Sequence, residues 1–410
     1  MLVVGGGVVG LCCALALRQR GHEVTVADAG KMGQGASAGN GGWVCPSLSS
    51  PIPGPGVIAS SLRWMLRSDS PLLVRPGMDL AFWAWLLAFA RHCNSTAFSH
   101  GLKAVARLAL TSLQLFSSLQ EAGVDFELHR DGLLLLFITE LAARREMEAL
   151  RVMEQLGCPA AVWMDSEEVS QAQPASGGRP VAGILAPEDQ HVRPESLTAG
   201  LAAWLARAGV ELLQDTPITE LRVDGGQVSG AVTGTGAPVP ADHVVLAAGV
   251  STGALARQVG LRLPLRGAKG YSVTFKGCAP ELKVPLYLSE AKVAISPYCE
   301  GVRVLGTMEL GTDPNSLRHT RVQAMLTACT NYLPGLSLTS PSRPWAGLRA
   351  MVPDGLPVIG SASAARNVVV ATGHAMLGVT LAPATGELVA DLVEGREPPE
   401  YARAFSPGRF

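Results

Sequence analysis

Three glycines near the amino terminus have the spacing needed to hold a dinucleotide. Gly5, Gly7 and Gly10 form G-x-G-x-x-G within MLVVGGGVVG. The first glycine allows a tight turn, the second lets the backbone approach a pyrophosphate, and the third lets a helix pack closely on a strand. Asp28 ends the next alternating stretch, where a carboxylate can accept hydrogen bonds from ribose hydroxyls. The sequence therefore predicts dinucleotide binding, with FAD and NAD both open at this point.

Three later stretches favour a flavin. GASAGNGGWV (35–44) is a loop of small residues that can expose backbone N–H groups to a pyrophosphate and a flavin ring. VVLAAGVST (244–252) resembles the second pyrophosphate-side motif of glutathione-reductase-type flavoproteins. ATGHAMLGVTLAPATGELVADLV (371–393) reads as a strand, a glycine loop and a helix.

These motifs together carry a family resemblance. The chain resembles the amino-acid-oxidising flavoproteins that include D-amino acid oxidase and glycine oxidase, and is most similar to the bacterial D-amino acid dehydrogenase branch. The resemblance covers nearly the whole chain, to about residue 395. The matching segments are GGGVVG, ASAGNGG, LRWMLRSDSPLLVRP (62–76), AKGYSVT (268–274), GLRAMVPDGLPVIG (347–360) and TGHAMLG.

The resemblance implies FAD as cofactor and a small D-amino or D-imino acid as substrate. The motifs and the resemblance together assign one set of residues to the cofactor site. It comprises Gly5, Gly7, Val8, Val9, Gly10, Asp28, Ala29, Ser37, Asn40, Gly41, Gly42, Ile218, Ala248, Gly249, Gly373, Met376, Leu377, Gly378, Val379 and Thr380. Backbone N–H groups of residues 376–380, with the dipole of the helix that follows, are expected around the flavin C2 carbonyl.

Four side chains are the catalytic candidates. The resemblance puts the family's carboxylate-binding arginine at Arg349, because a guanidinium suits a bidentate carboxylate; the alternative is a structural ion pair with Asp354. Tyr271 either donates a hydroxyl to the same carboxylate or shapes the pocket, and Tyr298 is a further candidate. His374 is expected to position the flavin ring or the substrate.

The expected reaction is hydride transfer from the substrate Cα to flavin N5, followed by hydrolysis of the imine to a 2-oxo acid and ammonia. Positioning of the C–H bond is the main task of such a protein. The expected electron acceptor is a quinone or another respiratory acceptor. Three alternatives remain open: a D-proline or hydroxy-D-proline dehydrogenase giving a cyclic imine, an oxidase of glycine, sarcosine or D-amino acids that uses O2, and a flavin-binding subunit that needs partner chains.

Two departures from the family pattern and one cysteine affect these expectations. Ala375 stands where the family's loop usually reads Gly-His-Gly. The segment 288–296 is one residue shorter than the dehydrogenase pattern, so Ala291 falls where a tyrosine is expected and the substrate can differ from D-alanine. Cys45 lies near the flavin loop, where a buried thiol is favoured over a covalent flavin link.

The elements that must position these residues indicate an α/β fold. A βαβ start, a β-rich middle and a final strand–helix pair predict a Rossmann-like, glutathione-reductase-type FAD-binding domain with a second α+β substrate domain on a mixed or antiparallel sheet. The predicted domains are 1–46, 194–262 and 345–402 for FAD, and 47–193 and 263–344 for substrate. The predicted helices are 11–20, 79–92, 100–122, 140–156, 195–210, 315–332 and 383–394, and the predicted strands are 2–4, 22–28, 132–137, 271–276, 284–296, 302–308 and 367–373. Residues 32–76 are predicted to be irregular, and Gly225–Gly226 to form a hairpin turn.

Composition limits the other roles. The 410 residues carry a net charge of −1 and no basic run, which argues against nucleic acid binding. The eight cysteines lack the spacing of a metal site, so no metal is expected, and they favour a cytoplasmic chain. LAFWAWLLAFA (80–90) is too short to span a bilayer and is either a core helix or a surface that contacts the inner face of the bacterial inner membrane or a partner subunit.

Overall fold

The computed structural model describes residues 1–65, 70–75, 77–314 and 316–410. Its α-helices are α1 (Val8–Gln19), α2 (Val57–Met65), α3 (Leu80–His92), α4 (Ser95–Glu121), α5 (Glu140–Gln155), α6 (Ser166–Ala172), α7 (Pro194–Arg207), α8 (Thr252–Gln258), α9 (His319–Tyr332) and α10 (Gly378–Val393). Its strands are β1 (Leu2–Val4), β2 (Thr25–Ala27), β3 (Trp43–Val44), β4 (Leu72–Val74), β5 (Leu128–His129), β6 (Leu133–Phe137), β7 (Val162–Asp165), β8 (Ala182–Ala186), β9 (Gln190–Val192), β10 (Glu211–Leu213), β11 (Ile218–Asp224), β12 (Gln227–Thr233), β13 (Pro238–Pro240), β14 (Val244–Leu246), β15 (Arg266–Ala279), β16 (Leu286–Leu288), β17 (Val293–Tyr298), β18 (Gly301–Leu310), β19 (Ser337–Pro341), β20 (Trp345–Met351), β21 (Val358–Ser361) and β22 (Val368–Thr372).

A six-stranded sheet carries the amino-terminal glycines. Its order is β10-β2-β1-β14-β22-β21, and all its pairs are parallel except β21–β22. The short strand β1 lies in the middle and is fully buried, flanked by β2 and β14 over its whole length. A strand of three residues suffices here because its neighbours satisfy its backbone on both sides.

Helices α1 and α10 pack on each other against this sheet. Gly386 of α10 allows the contact, because a Cβ there would lie 2.5 Å from the carbonyl oxygen of Cys12 in α1. At the exposed end of α1, Arg20 pairs with Glu387, Asp391 and Glu394. Helix α4 packs on the other side of α10, so the first and last parts of the chain share one core.

A ten-stranded mixed sheet forms the other half of the molecule. Its main path is β19-β15-β18-β17-β16-β6-β8-β7, with β20 pairing β15 and β4 pairing β18. The β16–β6 and β18–β4 pairs are parallel and the remaining pairs are antiparallel. Strand β6, LLLLF, is buried at every position, as a central strand covered on both faces should be. The predicted α/β class with a parallel sheet and a second mixed sheet is confirmed.

Two elements cross the domain division that the sequence predicts. Strand β20, assigned to the FAD domain, pairs with β15 of the ten-stranded sheet. Helix α4, assigned to the substrate domain, packs on α10 beside the six-stranded sheet. Both elements therefore join the two halves, and the exact domain boundaries stay a prediction.

Some element predictions are wrong. The stretch 32–76 is not wholly irregular, since it contains β3, α2 and β4. The predicted strand 284–296 is two strands separated by a turn with Lys292 at φ 55. Helix α10 begins five residues before Pro383, because the Leu381 N–H already donates to the Leu377 carbonyl and closes the first turn. Parts of the 62–76 segment, and residue 315 of the predicted 315–332 helix, lie outside the described residues.

Helix α3 is neither a buried core helix nor a membrane span. It buries Phe82 and Trp85 but exposes Leu80, Trp83 and Leu87. No helix in the described parts of the chain is long and apolar enough to cross a membrane.

Candidate cofactor and substrate site

A single large cavity of about 1740 Å³ has walls from both sheets. Small-molecule sites usually occupy about 300–1,000 Å³, so this cavity has room for a dinucleotide and a substrate together. It reaches most of the predicted cofactor residues. Those that line it are Gly5, Gly7, Val8, Val9, Asp28, Ala29, Ser37, Asn40, Gly41, Ile218, Ala248, Gly249, Gly373, Met376, Leu377, Gly378, Val379 and Thr380.

The glycines of the fingerprint have different roles. A Cβ on Gly7 would meet only the Ser37 hydroxyl, at 3.4 Å, so the backbone there is open to a ligand. Gly5 has φ +115, and its Cβ would lie 2.5 Å from the carbonyl oxygen of Ala247. Gly7 also caps α1, and the Val8 N–H at this helix end donates to Ser37 Oγ. Free N–H groups at such an end suit a pyrophosphate.

Two predicted cofactor residues, Gly10 and Gly42, do not line the cavity. A Cβ on Gly10 would lie 1.8 Å from the Gly5 carbonyl oxygen. Gly42 has φ +72, and its Cβ would lie 1.8 Å from the Val192 carbonyl oxygen. Both glycines therefore permit close backbone packing behind the site, which corrects their assignment as cofactor contacts.

Asp28 is fixed at the end of β2. Its carboxylate accepts hydrogen bonds from the Gly6 N–H at 2.6 Å and the Gly30 N–H at 2.8 Å, one on each oxygen. Each oxygen keeps a lone pair free for a ribose hydroxyl.

Arg303 of β18 holds the small-residue loop 35–44 from the ten-stranded sheet. Its Nη1 donates to the carbonyl oxygens of Ala38 and Asn40, at 2.9 and 2.8 Å. Its Nε donates to Thr274 Oγ1, and its Nη2 pairs with Glu195 of α7. The sequence did not predict a role for Arg303, and its only signal is one arginine inside the otherwise uncharged stretch GVRVLG.

Tyr298 belongs to the same support and not to the substrate pocket. Its hydroxyl donates to the Gly41 carbonyl oxygen at 2.9 Å, and Ser296 Oγ donates to the same oxygen at 2.8 Å. Tyr298 does not line the cavity. Its prediction as a catalytic residue is therefore wrong, because its one polar atom faces the back of the cofactor loop.

Arg349 presents a positive charge to the cavity. Its guanidinium lies against Gly270, and a Cβ added at Gly270 would be only 2.2 Å from Arg349 Nη2. Arg349 Nη1 donates to the Thr307 carbonyl oxygen. The ion pair with Asp354 does not form, since Asp354 pairs with Arg409 at 2.6 Å. Burial lowers the pKa of Arg349 to about 10, so the side chain is still a cation at neutral pH.

Tyr271 follows Gly270 in β15 and also lines the cavity. It packs with Val273 and Phe275 in the hydrophobic cluster beneath α9, and 1% of it is exposed. Burial, with a smaller contribution from Glu309, raises the pKa of Tyr271 to about 12. This position favours a role in shaping the wall of the cavity.

His374 lies in the loop between β22 and α10 and lines the cavity. Its Nε2 is 3.0 Å from Thr385 Oγ1, which itself donates to the Leu381 carbonyl. Thr385 must therefore accept a hydrogen bond from Nε2–H, which leaves Nδ1 without a proton. Burial lowers the pKa of His374 to about 4, so the ring is neutral at physiological pH.

Two features connect this loop to Arg349 and to the start of α10. Ala375 has φ 49, a conformation that favours glycine and so explains why glycine usually follows this histidine in the family. The Ala375 N–H donates to the carbonyl oxygen of Ala350, which follows Arg349 in β20. The first N–H groups of α10, at residues 378–380, lack helical acceptors and line the cavity. Their dipoles favour negative charge on a bound group.

Comparisons with known proteins show the family of this chain. Residues 1–392 match the family described as FAD dependent oxidoreductase, DAO. The chain is 34% identical to a D-amino acid dehydrogenase of Methylobacterium nodulans, covering 100% of this chain and 99% of that protein. It is 35% identical to a D-amino acid dehydrogenase of Paramagnetospirillum magneticum, covering 97% of this chain and 95% of that protein.

Solved structures show the same fold. Glycine oxidase from Geobacillus kaustophilus superimposes with a TM-score of 0.79 at 26% identity, over 100% of this chain and 98% of that one. L-Proline dehydrogenase from P. horikoshii gives a TM-score of 0.74 at 20% identity, over 100% and 96% of the two chains. FAD fits the cavity, because the open backbone at Gly7, the fixed carboxylate of Asp28 and the N-termini of α1 and α10 line one continuous space.

We expect Arg303→Ala to weaken FAD binding, because the loop 38–41 loses its two carbonyl contacts and Glu195 loses its partner. The flavin-to-protein ratio after gel filtration should fall below that of the wild-type protein. Arg144→Ala removes an exposed helix-surface pair and is the control. Full flavin retention in Arg303→Ala would contradict the proposed support of the loop.

We expect His374→Gln to reduce the loss of stability in acid. The folded-state pKa of about 4 lies below the usual value of 6.5, so the unfolded chain binds the proton more readily. The histidine's contribution to stability is therefore complete above pH 6.5 and is lost as the pH falls toward 4. Between pH 7 and 4.5 the wild-type protein should lose roughly 2 kcal/mol more of its free energy of unfolding than His374→Gln loses.

Chemical unfolding at the two pH values measures this difference. His319→Gln changes an exposed histidine and is the matched control. If His374→Gln and the wild-type protein lose the same stability between pH 7 and 4.5, the buried neutral state of His374 is wrong.

Proposed function

We propose that this chain, which belongs to the DAO family of FAD-dependent oxidoreductases, oxidises a D-amino acid at Cα. The products are the reduced cofactor and an imine, which water hydrolyses to a 2-oxo acid and ammonia. The observation that carries the proposal is Arg349, a cation in the cavity whose guanidinium has no ion pair among the described residues. The α-carboxylate of an amino acid is the group that it suits.

FAD, when bound, supplies a hydride acceptor at its N5 atom. The chain's own residues mainly position the substrate for that transfer. Arg349 binds the carboxylate and so fixes one end of the substrate. His374 keeps its proton on Nε2, facing Thr385, and offers an unprotonated Nδ1. No charged carboxylate side chain of the described residues lines the cavity apart from Asp28 and Glu146, so the substrate amine loses its proton to solvent before hydride transfer.

The walls beside Arg349 favour an apolar substrate side chain. Strand β20 continues from Arg349 to Met351, which packs with Trp85 of α3 and Leu310 of β18. Ile52, Leu86, Phe89 and Met308 lie against the same cluster and line the cavity. Ala291 does not line the cavity, although Lys292 and Ala294 beside it do. These surfaces can hold a D-amino acid with an aliphatic side chain or the compact ring of a D-imino acid.

The exposed apolar rim of the cavity supports a lipophilic electron acceptor. Ile58, Leu62, Met65 and Trp83 line the cavity and are also between 44% and 59% exposed. Met78, Leu80 and Leu87 extend this rim, at 98%, 83% and 55% exposed. Several exposed apolar side chains at the mouth of a cavity are typical of an interaction site, and we propose that they contact a membrane surface from which a quinone reaches the cavity.

A panel of D- and L-amino acids with an artificial dye tests the reaction. We expect dye reduction with aliphatic D-amino acids or D-proline and little peroxide formation in air. Rapid peroxide formation in step with substrate oxidation would favour the oxidase alternative. Reduction with L-amino acids only would overturn the proposal.

Arg349→Ala should raise KM for the D-amino acid by roughly 100-fold, because a charge-assisted bidentate contact contributes about 3 kcal/mol. Arg349→Lys keeps the positive charge but cannot make the bidentate contact, so its KM should rise less than that of Arg349→Ala. Arg144→Ala, on the surface of α5, is the control. An unchanged KM in Arg349→Ala would rule out the carboxylate contact, and the flavin spectrum of each variant checks that the cofactor is still bound.

The double variant Leu80→Glu, Leu87→Glu should lose binding to vesicles of phosphatidylglycerol and phosphatidylethanolamine in a flotation assay. Neither leucine lines the cavity, so we expect normal activity with a water-soluble dye. Leu141→Glu, which changes a 61% exposed leucine on α5, should still float like the wild-type protein. Wild-type protein that stays at the bottom of the gradient, or a double variant that floats like it, would contradict the membrane contact.

A further inference from the structure

We propose that Glu127, His129 and Cys299 form a binding site for a zinc-like divalent cation on the surface behind the cofactor loop. One carboxylate oxygen, one imidazole nitrogen and the thiol sulfur all lie within 4.8 Å of one another. The residues come from the β5 region and from the turn after β17, which are 170 residues apart in the chain. The cysteine spacing predicted no metal, because ligands this far apart in the chain form no local motif.

The distances suit a small ion. His129 Nε2 is 2.7 Å from Glu127 Oε1. A tetrahedral zinc ion holds its nitrogen, oxygen and sulfur ligands at about 2.0–2.3 Å, and therefore keeps them roughly 3.3–3.8 Å apart. Glu127 Oε1 also accepts the Cys299 backbone N–H at 2.7 Å, which holds the carboxylate beside the thiol, and the Cys299 side chain is exposed.

The donor set favours zinc over magnesium or calcium. Thiolate and imidazole are ligands of borderline and soft ions, whereas magnesium and calcium prefer oxygen. Three protein ligands leave a fourth position for water, as in open zinc sites. Binding at Nε2 replaces the hydrogen bond to Glu127: the single imidazole proton then resides on Nδ1, and the thiol proton of Cys299 is released to solvent.

Neighbouring groups already hold the His129 ring. His191 stacks on it, with centroids 4.5 Å apart and an interplanar angle of 12°. His191 is fully buried and fixed, since its Nε2 is 2.7 Å from the Pro297 carbonyl oxygen. His129 Nδ1 lies 3.9 Å from a carboxylate oxygen of Asp131, and metal-binding histidines commonly donate their second N–H to a carboxylate.

The site is separate from the cavity. None of its three ligands lines the cavity. It lies at the sheet β3–β9–β5, in which His191 pairs with both His129 and Trp43. Tyr298, next to Cys299, donates its hydroxyl to Gly41 of the cofactor loop.

Titration of the FAD-loaded protein with CoCl2 in chelator-free buffer tests this proposal, because Co²⁺ replaces zinc and reports its ligands by absorption. Difference spectra against the EDTA-treated holoprotein remove the flavin bands. We expect one Co²⁺ per chain with a thiolate-to-cobalt charge-transfer band, and displacement of that band by ZnCl2. A wild-type titration without a thiolate band would overturn the proposal.

Two variants and two controls assign the ligands. Cys299→Ser should lose the charge-transfer band, and His129→Ala should bind Co²⁺ roughly tenfold or more weakly. Cys278→Ser and His319→Ala change a partly exposed cysteine and an exposed histidine elsewhere and should behave like the wild-type protein. If Cys299→Ser keeps the band, or if Cys278→Ser loses it, the site is elsewhere. The melting temperature of the wild-type protein should rise with ZnCl2, and that of Cys299→Ser should rise less.

Discussion

The guanidinium of Arg303 joins the two halves of this molecule at the place where the cofactor must lie. It extends from the ten-stranded sheet to two carbonyl oxygens of the loop after β2 and to Glu195 of α7. Arg303 is only 5% exposed, and a buried charge is tolerated only when its donors are satisfied. Within the small-residue loop 35–44, the side chains of Ser37, Asn40 and Trp43 make one hydrogen bond each, and Arg303 adds two contacts to the loop backbone from the ten-stranded sheet. Ser296 and Tyr298 add two further donors on the Gly41 carbonyl.

The opposite wall is organised by backbone contacts between β20 and the loop after β22. The Ala375 N–H donates to Ala350, so the residue after His374 is fixed beside the residue after Arg349. Ala375 adopts a left-handed conformation that is unfavourable for any residue with a Cβ. The loop keeps this conformation because its ends are anchored by β22 and α10. The cation and the neutral histidine are thereby held in one geometry, although neither contacts the other through a hydrogen bond.

Local sequence patterns predicted the parts of this fold that depend on local chemistry. The glycine fingerprint, Asp28 and the Gly225–Gly226 hairpin, which joins β11 and β12, depend on backbone conformation within a few residues. Arg349 and His374 were identified by family resemblance, and the cavity brings them together. Arg303 and the true position of Tyr298 could not be predicted, because both depend on which strand of the second sheet faces the cofactor loop. The sequence predicts that the last helix begins at about Pro383, whereas α10 begins at Gly378 and contains Pro383 in its second turn.

The charges of the cavity suggest why so few titratable groups are needed for the chemistry. Arg349 and the N-terminal N–H groups of α10 both favour negative charge, the former on a carboxylate and the latter on the cofactor. A protonated His374, which lines the same cavity, would add a third positive group and repel a cationic substrate amine. Burial of His374 keeps it neutral, and its hydrogen bond to Thr385 fixes the proton away from Nδ1. In the reaction we propose, this environment favours the substrate as an anion with a free amine, the form that can transfer its Cα hydride without a protein base.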